Sequence, residues 1–234
     1  MKASTRVLGM VAAVLAAVSA PVWAERDSRD SKDSLSELTG QWWQWALAPP
    51  VPSNPIADTL GTNCMVGQRG TVWFLGGTTT GGVIRRRCSV PQGVTLFFPV
   101  INSIYFDTPN ICGQGPSLSV RELRAGAAPF IDAVTVAVAT FDNKPIKLTR
   151  RIRSEPFVTV LPANNIFVQP CKDAGFAEGV PAGVYSASVD DGYYGKVDGL
   201  DPGVHTLVFR AKSGTFDLDV EYVLNVVPVS REVK

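Results

Sequence analysis

A mainly β fold, an antiparallel β-sandwich or jelly roll with one or two short helices at its N-terminal side, is what this sequence predicts. Three observations carry that expectation. From Gly70 onward, short apolar, β-branched and aromatic runs alternate with Gly, Pro and Asn-Asp turn signals. Near the end, Asp217, Asp219 and Glu221 alternate with Leu218, Val220 and Tyr222, which gives a strand one wet and one buried face. No internal repeat and no strand–helix–strand rhythm is present, so a parallel doubly wound sheet is not expected. With 234 residues, 45% of them hydrophobic, the chain has enough apolar mass for the core of one such domain.

The first 24 residues read as a secretory signal peptide. Lys2 and Arg6 form a positive n-region, Val7–Val18 is an apolar run, and Val22-Trp23-Ala24 places small or modest residues where cleavage would expose Glu25. That apolar run is shorter than the roughly 20 residues needed to cross hydrocarbon, so no membrane span is expected. Residues 25–34 alternate charge and serine and read as a disordered leader. Ser34-Leu-Ser-Glu37 then has the form of a capping box, opening a helix to about Ala48 that the Pro49-Pro50 pair ends. Leu35, Leu38, Trp42 and Trp45 fall on one face of it, so core packing is expected of the tryptophans, with Trp43 alone free to stack on a ligand. Residues 35–234 are expected to form a single domain.

Ten strands follow from the punctuation: Thr71–Leu75, Val83–Cys88, Val94–Ile101, Ala133–Phe141, Pro145–Arg153, Phe157–Leu161, Val184–Val189, Tyr193–Val197, His205–Ala211 and Phe216–Val227. Asp142-Asn143-Lys144 and Lys212-Ser213-Gly214 are the two clearest hairpin turns. Gly76–Gly82 reads as a flexible hairpin tip and one lip of a site. A second capping box, Ser119-Val-Arg-Glu122, starts another short helix that stops near Gly126 or Pro129.

The four cysteines, Cys64, Cys88, Cys112 and Cys171, form an even set in a chain with an export signal, which means two bridges. Three pairings are open; Cys64–Cys88 with Cys112–Cys171 is favoured, because the first two flank what reads as one apolar hairpin. No C-x-x-C occurs, and a single histidine excludes all-histidine zinc or copper sites. No cofactor is expected; calcium at Asp190, Asp191, Asp198 and Asp201 is the one cation the acidic residues leave open, and their spacing matches no EF-hand. Removing Lys2 and Arg6 with the signal peptide leaves 20 basic against 21 acidic residues, a balance with no footprint for nucleic acid.

Several further features bear on function. Arg85, Arg86 and Arg87 cannot share one strand face: Arg86 points opposite to its neighbours, and an anion clamp is the functional alternative to a solvated edge. His205 alternates with Leu207 and Phe209 and so reads as a packing residue; no Gly-x-Ser-x-Gly elbow accompanies it. Asp190-Asp191-Gly192 reads as an acidic loop. If a site exists, Gln68, Asn102, Tyr105, Asp107, Asp191 and Tyr193 are its expected residues, since Asn102, Tyr105 and Asp107 directly follow an apolar strand.

Trp42–Ala46 (WWQWA), Asn63-Cys64 with Gly67-Gln68, Val72–Leu75 (VWFL), Arg87–Pro91 (RCSVP), Leu96–Asn102 (LFFPVIN), Asp191–Tyr193 and Pro202–Thr206 together resemble a family of exported bacterial proteins of unestablished activity. The resemblance spans most of residues 35–224. It implies a secreted β fold and brings no catalytic residue with it. Three functions remain in view: a secreted or periplasmic module binding a glycan or a protein; a hydrolase or lyase on a polysaccharide or related polymer, through Asp107, Asp190 or Asp191 with Asn102, Tyr105 or Tyr193 orienting the substrate; and a structural envelope protein.

Overall fold

The computed structural model describes residues 23–149 and 151–228. The expected signal peptide, its last two residues apart, lies outside the described residues. Among the described residues, ten strands form two five-stranded sheets. The first holds β1 (Val72–Phe74), β3 (Thr95–Phe106) and β8 (Gly183–Val197), with the short β6 (Ile152–Arg153) and β7 (Phe157–Leu161) both pairing with β8. The second runs β2 (Gly82–Pro91), β10 (Phe216–Val227), β9 (Gly203–Ser213), β4 (Val134–Phe141) and β5 (Lys144–Pro145).

The mainly β, sandwich-like class is as expected, but the sheets are mixed. β1 runs parallel to β3, and β2 runs parallel to β10. The reason lies in residues 76–81: this stretch is a crossover from one sheet to the other, not a hairpin tip. Cys64 and Cys88 are nevertheless bridged, Cα atoms 6.0 Å apart, and so are Cys112 and Cys171 at 5.5 Å. The favoured pairing holds while the hairpin offered as its reason does not. Asp142 and Asn143, with φ of 48° and 62°, do make a tight turn. The strand expected over Pro145–Arg153 reduces to β5 and β6, which belong to different sheets.

The helices depart furthest from expectation. α1 spans Trp23–Leu47, so its backbone starts upstream of the Ser34 capping box and takes in the stretch expected as a disordered leader; extending an existing helix costs far less than nucleating one. The other two helices are not N-terminal: α2 (Val120–Asp132) and α3 (Val168–Asp173) are inserted between strands. The Ser119–Glu122 capping box opens α2, which continues through Pro129.

Two cores result. Between the sheets, Leu96, Phe98 and Val100 meet Phe209, Val220, Tyr222 and Leu224. On the outer face of the first sheet, Trp42, Trp43 and Trp45 of α1 pack with Phe97, Leu161 and Tyr194. Each buried tryptophan is worth several kcal/mol at about 25 cal/mol per Å² over roughly 200 Å². All three indole N–H groups are satisfied: Trp42 donates to the Leu75 carbonyl (2.7 Å), Trp45 to the Val66 carbonyl (2.8 Å) and Trp43 to Asp190. α2 lies on the opposite face of β3 and β8. Its close approach depends on Gly126, where a Cβ would come within 2.5 Å of the Tyr105 ring.

Candidate functional site

β8 passes without a break through Asp190-Asp191-Gly192, so the expected acidic loop is a strand interior. Successive strand side chains point to opposite faces. Asp190 therefore faces α1 and Asp191 faces α2, and the two carboxylates do not confront each other across a cleft as an acid–base pair would. Both are buried, at 1% and 2% exposure, and each has its own partners. Asp191 takes both Nε and Nη2 of Arg151 at 2.6 Å and Arg153 Nε at 3.2 Å. Arg151 also pairs with Asp132 at the end of α2, so Asp191 pins that helix to the sheet.

Among the described residues, no cation pairs with Asp190. Trp43 Nε1 donates to its Oδ1 (2.6 Å) and the Tyr194 hydroxyl to its Oδ2 (2.8 Å); Asn102 Nδ2 in turn donates to the Tyr194 oxygen at 3.1 Å. Gly192 stands between Asp190 and Tyr194 on this face, and a Cβ there would lie 2.7 Å from that of Asn102. Burial raises the Asp190 carboxyl to about 7, against the lowering pull of Trp43, Tyr194 and the adjacent Thr39 hydroxyl; the neighbouring Asp191 charge adds a little more. The same burial, with Asp190 beside it, pushes the Tyr194 phenol well above its ordinary value.

The remaining expected site residues separate. Gln68 bridges backbone groups, donating to the Cys64 and Phe74 carbonyls and accepting from the Phe74 amide, and thus staples the chain leading into β1. Tyr193 packs into the inter-sheet core. Tyr105 lies on Gly126. Asp107 caps the loop after β3, accepting from the Ser117 hydroxyl, the Leu118 amide (2.9 Å) and Gln114 Nε2 (2.6 Å). Burial pushes its carboxyl up, but these hydrogen bonds outweigh it and hold it below the usual carboxylate range. Its stabilisation is accordingly present at neutral pH and lost as pH falls through that depressed value. Asp107→Ala is expected to cost about 2 kcal/mol in urea unfolding at pH 7, the loss of three hydrogen bonds to a charged group in a partly wet loop.

Arg86 is fully buried, as its alternation with Ile84 and Cys88 requires, but it clamps no anion. Its guanidinium donates to the carbonyls of Ile56, Asp58, Gly76 and Gly77 and to the Tyr222 hydroxyl. It holds the crossover loop against β2 and β10. Arg85 pairs with Asp219 and Glu221 outside. His205 stacks on Phe141 and ties Asp142 Oδ2 (2.7 Å) to the Asp201 carbonyl (2.8 Å), a loop staple at the edge of the sheet.

An open groove runs along β3. β1 pairs with β3 only from Thr95 to Phe97, and among the described residues no strand takes over that edge beyond it. There a cavity of about 240 Å³ is lined by every residue from Pro99 to Ile104, by Trp43, by Thr78 and Thr79 of the crossover loop, and by Phe130 and Phe216. Consecutive lining residues mark a strand edge, since a sheet face would offer only alternate ones. A second cavity of about 670 Å³ continues along Ile104–Phe106 to Leu118, Val180 and the Cys112–Cys171 bridge; Ile104 and Phe167 line both. Of the expected site residues, Asn102 lines the first cavity and Tyr105 the second, and Gly77, Thr78 and Thr79 of the glycine-rich stretch line the first. The aromatic walls Phe130, Phe167 and Phe216 carry no sequence signal, because they come from three segments that nothing local links.

Among the described residues, no three His, Cys, Asp or Glu side chains gather as a metal site would require, and no helix is long and apolar enough to cross a membrane. Comparison of the chain with protein-family models, curated proteins and solved structures finds no match. What fold and site together define is a disulfide-bonded, mainly β protein with an apolar groove on an open strand edge. Its two bridges are consistent with an oxidising, extracytoplasmic compartment.

Proposed function

We propose that the protein is an exported binding module whose groove along β3 takes an elongated, mainly apolar ligand carrying a few polar groups. That the two cavities adjoin, with Ile104 and Phe167 in the walls of both, carries this reading. Apolar and aromatic walls with a few hydroxyl and amide groups are the usual make-up of a ligand site. Thr78, Thr79, Asn102 and Ser103 supply those polar groups here. A glycan would want a tryptophan face, and Trp42, Trp43 and Trp45 are 2%, 5% and 7% exposed. A hydrolase would want its carboxylates in the groove, whereas Asp107, Asp190 and Asp191 line neither cavity and are each committed to internal partners.

Ile104→Trp, which fills the junction, provides the test. The oxidised protein from residue 25 onward is expected to bind the uncharged fluorescent probe N-phenyl-1-naphthylamine, and the variant to bind it at least tenfold more weakly with an unchanged circular dichroism spectrum. Equal binding by both proteins, or none by either, would overturn the reading.

A further inference from the structure

Asp190 is a buried acid with no counter-cation among the described residues, yet one step away through Tyr194 it touches a group that faces the groove. We propose that Asn102 is the ligand-reading group of the groove and that the protonation of Asp190, passed through Tyr194, decides whether Asn102 offers a donor or an acceptor. This rests on the groove being the binding site.

The hydrogen-bond directions follow from which groups can only donate. Trp43 Nε1 has a proton and no lone pair to offer, so Asp190 Oδ1 must always accept from it. Any proton taken up by the carboxylate therefore goes to Oδ2, beside Tyr194. With Asp190 ionised, the Tyr194 O–H donates to Oδ2, its oxygen accepts Asn102 Nδ2–H, and Asn102 Oδ1 is left toward the groove as an acceptor. When a proton from water reaches Oδ2, that O–H donates to the Tyr194 oxygen. The tyrosine proton then turns to Asn102, whose amide rotates to accept it with Oδ1, and its NH₂ is presented to the groove as a donor. One proton enters, no heavy-atom bond breaks, and every buried group keeps a partner in both states.

The surroundings leave Asp190 free to titrate near neutrality. Among the described residues, α1 brings Trp43 and Thr39 against it and no charge. β3 brings Asn102 and, opposite in register, Ile104. The segment before β7 brings Ser154, whose hydroxyl accepts from the Asp190 amide and whose carbonyl takes the α2 residue Arg124. On β8 the titratable neighbours are Tyr194 and Asp191, and Asp191 points to the other face, where Arg151 and Arg153 hold it. Burial then sets the carboxyl at about 7, inside the range an exported protein meets.

Two-dimensional ¹⁵N NMR of the free oxidised protein between pH 5 and 9 tests the relay without a ligand. The Asn102 side-chain amide and Trp43 Nε1–H are expected to shift with one common midpoint, and Asp190→Asn to flatten both. Tyr194→Phe is expected to abolish the Asn102 shift while Trp43 still titrates, which also shows that the variant is folded. An Asn102 shift that survives Tyr194→Phe, or a silent Asn102 beside a titrating Trp43, would overturn the relay. In a second arm, binding of 2-acetylnaphthalene, an acceptor, and 2-naphthol, a donor, is compared at pH 5.5 and 8.5. The acceptor is expected to gain threefold to tenfold relative to the donor at the lower pH. Binding of both probes with no change in their ratio overturns the ligand-reading role of Asn102. Failure of both to bind while Asn102 titrates overturns the groove reading instead.

Discussion

Arg86→Met is expected to destabilise the protein by about 4 kcal/mol in urea unfolding. Methionine has a similar reach and packs well beside apolar neighbours, so the change isolates the polar loss from cavity formation. Arg86 is 2% exposed, and its guanidinium satisfies the carbonyls of Ile56, Asp58, Gly76 and Gly77. The Tyr222 hydroxyl still donates to Gly76 after the substitution, which leaves three carbonyls orphaned. Each buried unsatisfied carbonyl costs about 1–3 kcal/mol, and water reaching the loop holds the sum toward the lower end. Arg86→Lys recovers a minor part, because an ammonium has three donors on a point and cannot span carbonyls on both loops as a planar fork does. The loop is also the lip of the groove, so probe binding is expected to weaken in the same variants. A loss below 1 kcal/mol for Arg86→Met would show that the guanidinium does not hold the crossover.

Arg86 also shows what the sequence makes legible. Period-2 alternation alone separates Arg86 from Arg85 and Arg87 and puts it with Ile84 and Cys88, so its inward direction was readable. Its role was not, because the carbonyls it binds come from residues 56–58 and 76–77, which no local pattern links to β2. The same division runs through the site. The second sheet's strands are amphipathic and their alternation is plain, as in β10. β8 is buried on both faces, and its Asp-Asp-Gly carries turn chemistry by composition, so a fifteen-residue strand reads as two strands and a loop. Extending the alternation through Asp190, Gly192 and Tyr194 would have placed all three on one face. Gln68 and Asp107 read as site residues, but Gln68 holds backbone groups of the chain leading into β1 and Asp107 holds the Ser117 and Gln114 side chains and the Leu118 amide, local tasks that a residue list cannot distinguish from ligand binding. The groove itself depends on β1 stopping at Phe74 while β3 runs on to Phe106, and strand length relative to a partner is a tertiary property.

Raising the pH from 4 to 8 is expected to remove about 4 kcal/mol of stability through Asp190 alone, and Asp190→Asn to abolish that contribution. The carboxyl titrates at about 7 in the folded protein and near its ordinary 3.8 when exposed. A group whose folded value is raised stabilises fully below the unfolded value, and that stabilisation drains away as pH climbs to the folded value. The window is therefore roughly pH 4 to 7, and three units at 1.36 kcal/mol each give the magnitude. Other groups work in the same and in the opposite sense. Burial works against Asp58, Asp107 and Asp142, but hydrogen bonds carry all three below the ordinary carboxylate value, so their stabilisation is lost in acid. His205 is raised by Asp142 and loses its contribution as pH rises past its own folded value. Subtracting the Asp190→Asn curve from that of the parent cancels these and leaves Asp190. Asparagine keeps an oxygen for Trp43 Nε1 and cannot ionise, so the variant should match or trail the parent at pH 4 and exceed it by a few kcal/mol at pH 8. Parallel curves across that interval would mean that Asp190 is solvated in the folded protein, which its 1% exposure and its two internal donors argue against. A carboxylate placed at such a disadvantage where asparagine would fit is hard to account for by stability alone, and its link to Asn102 is the feature that gives the ionisation something to control.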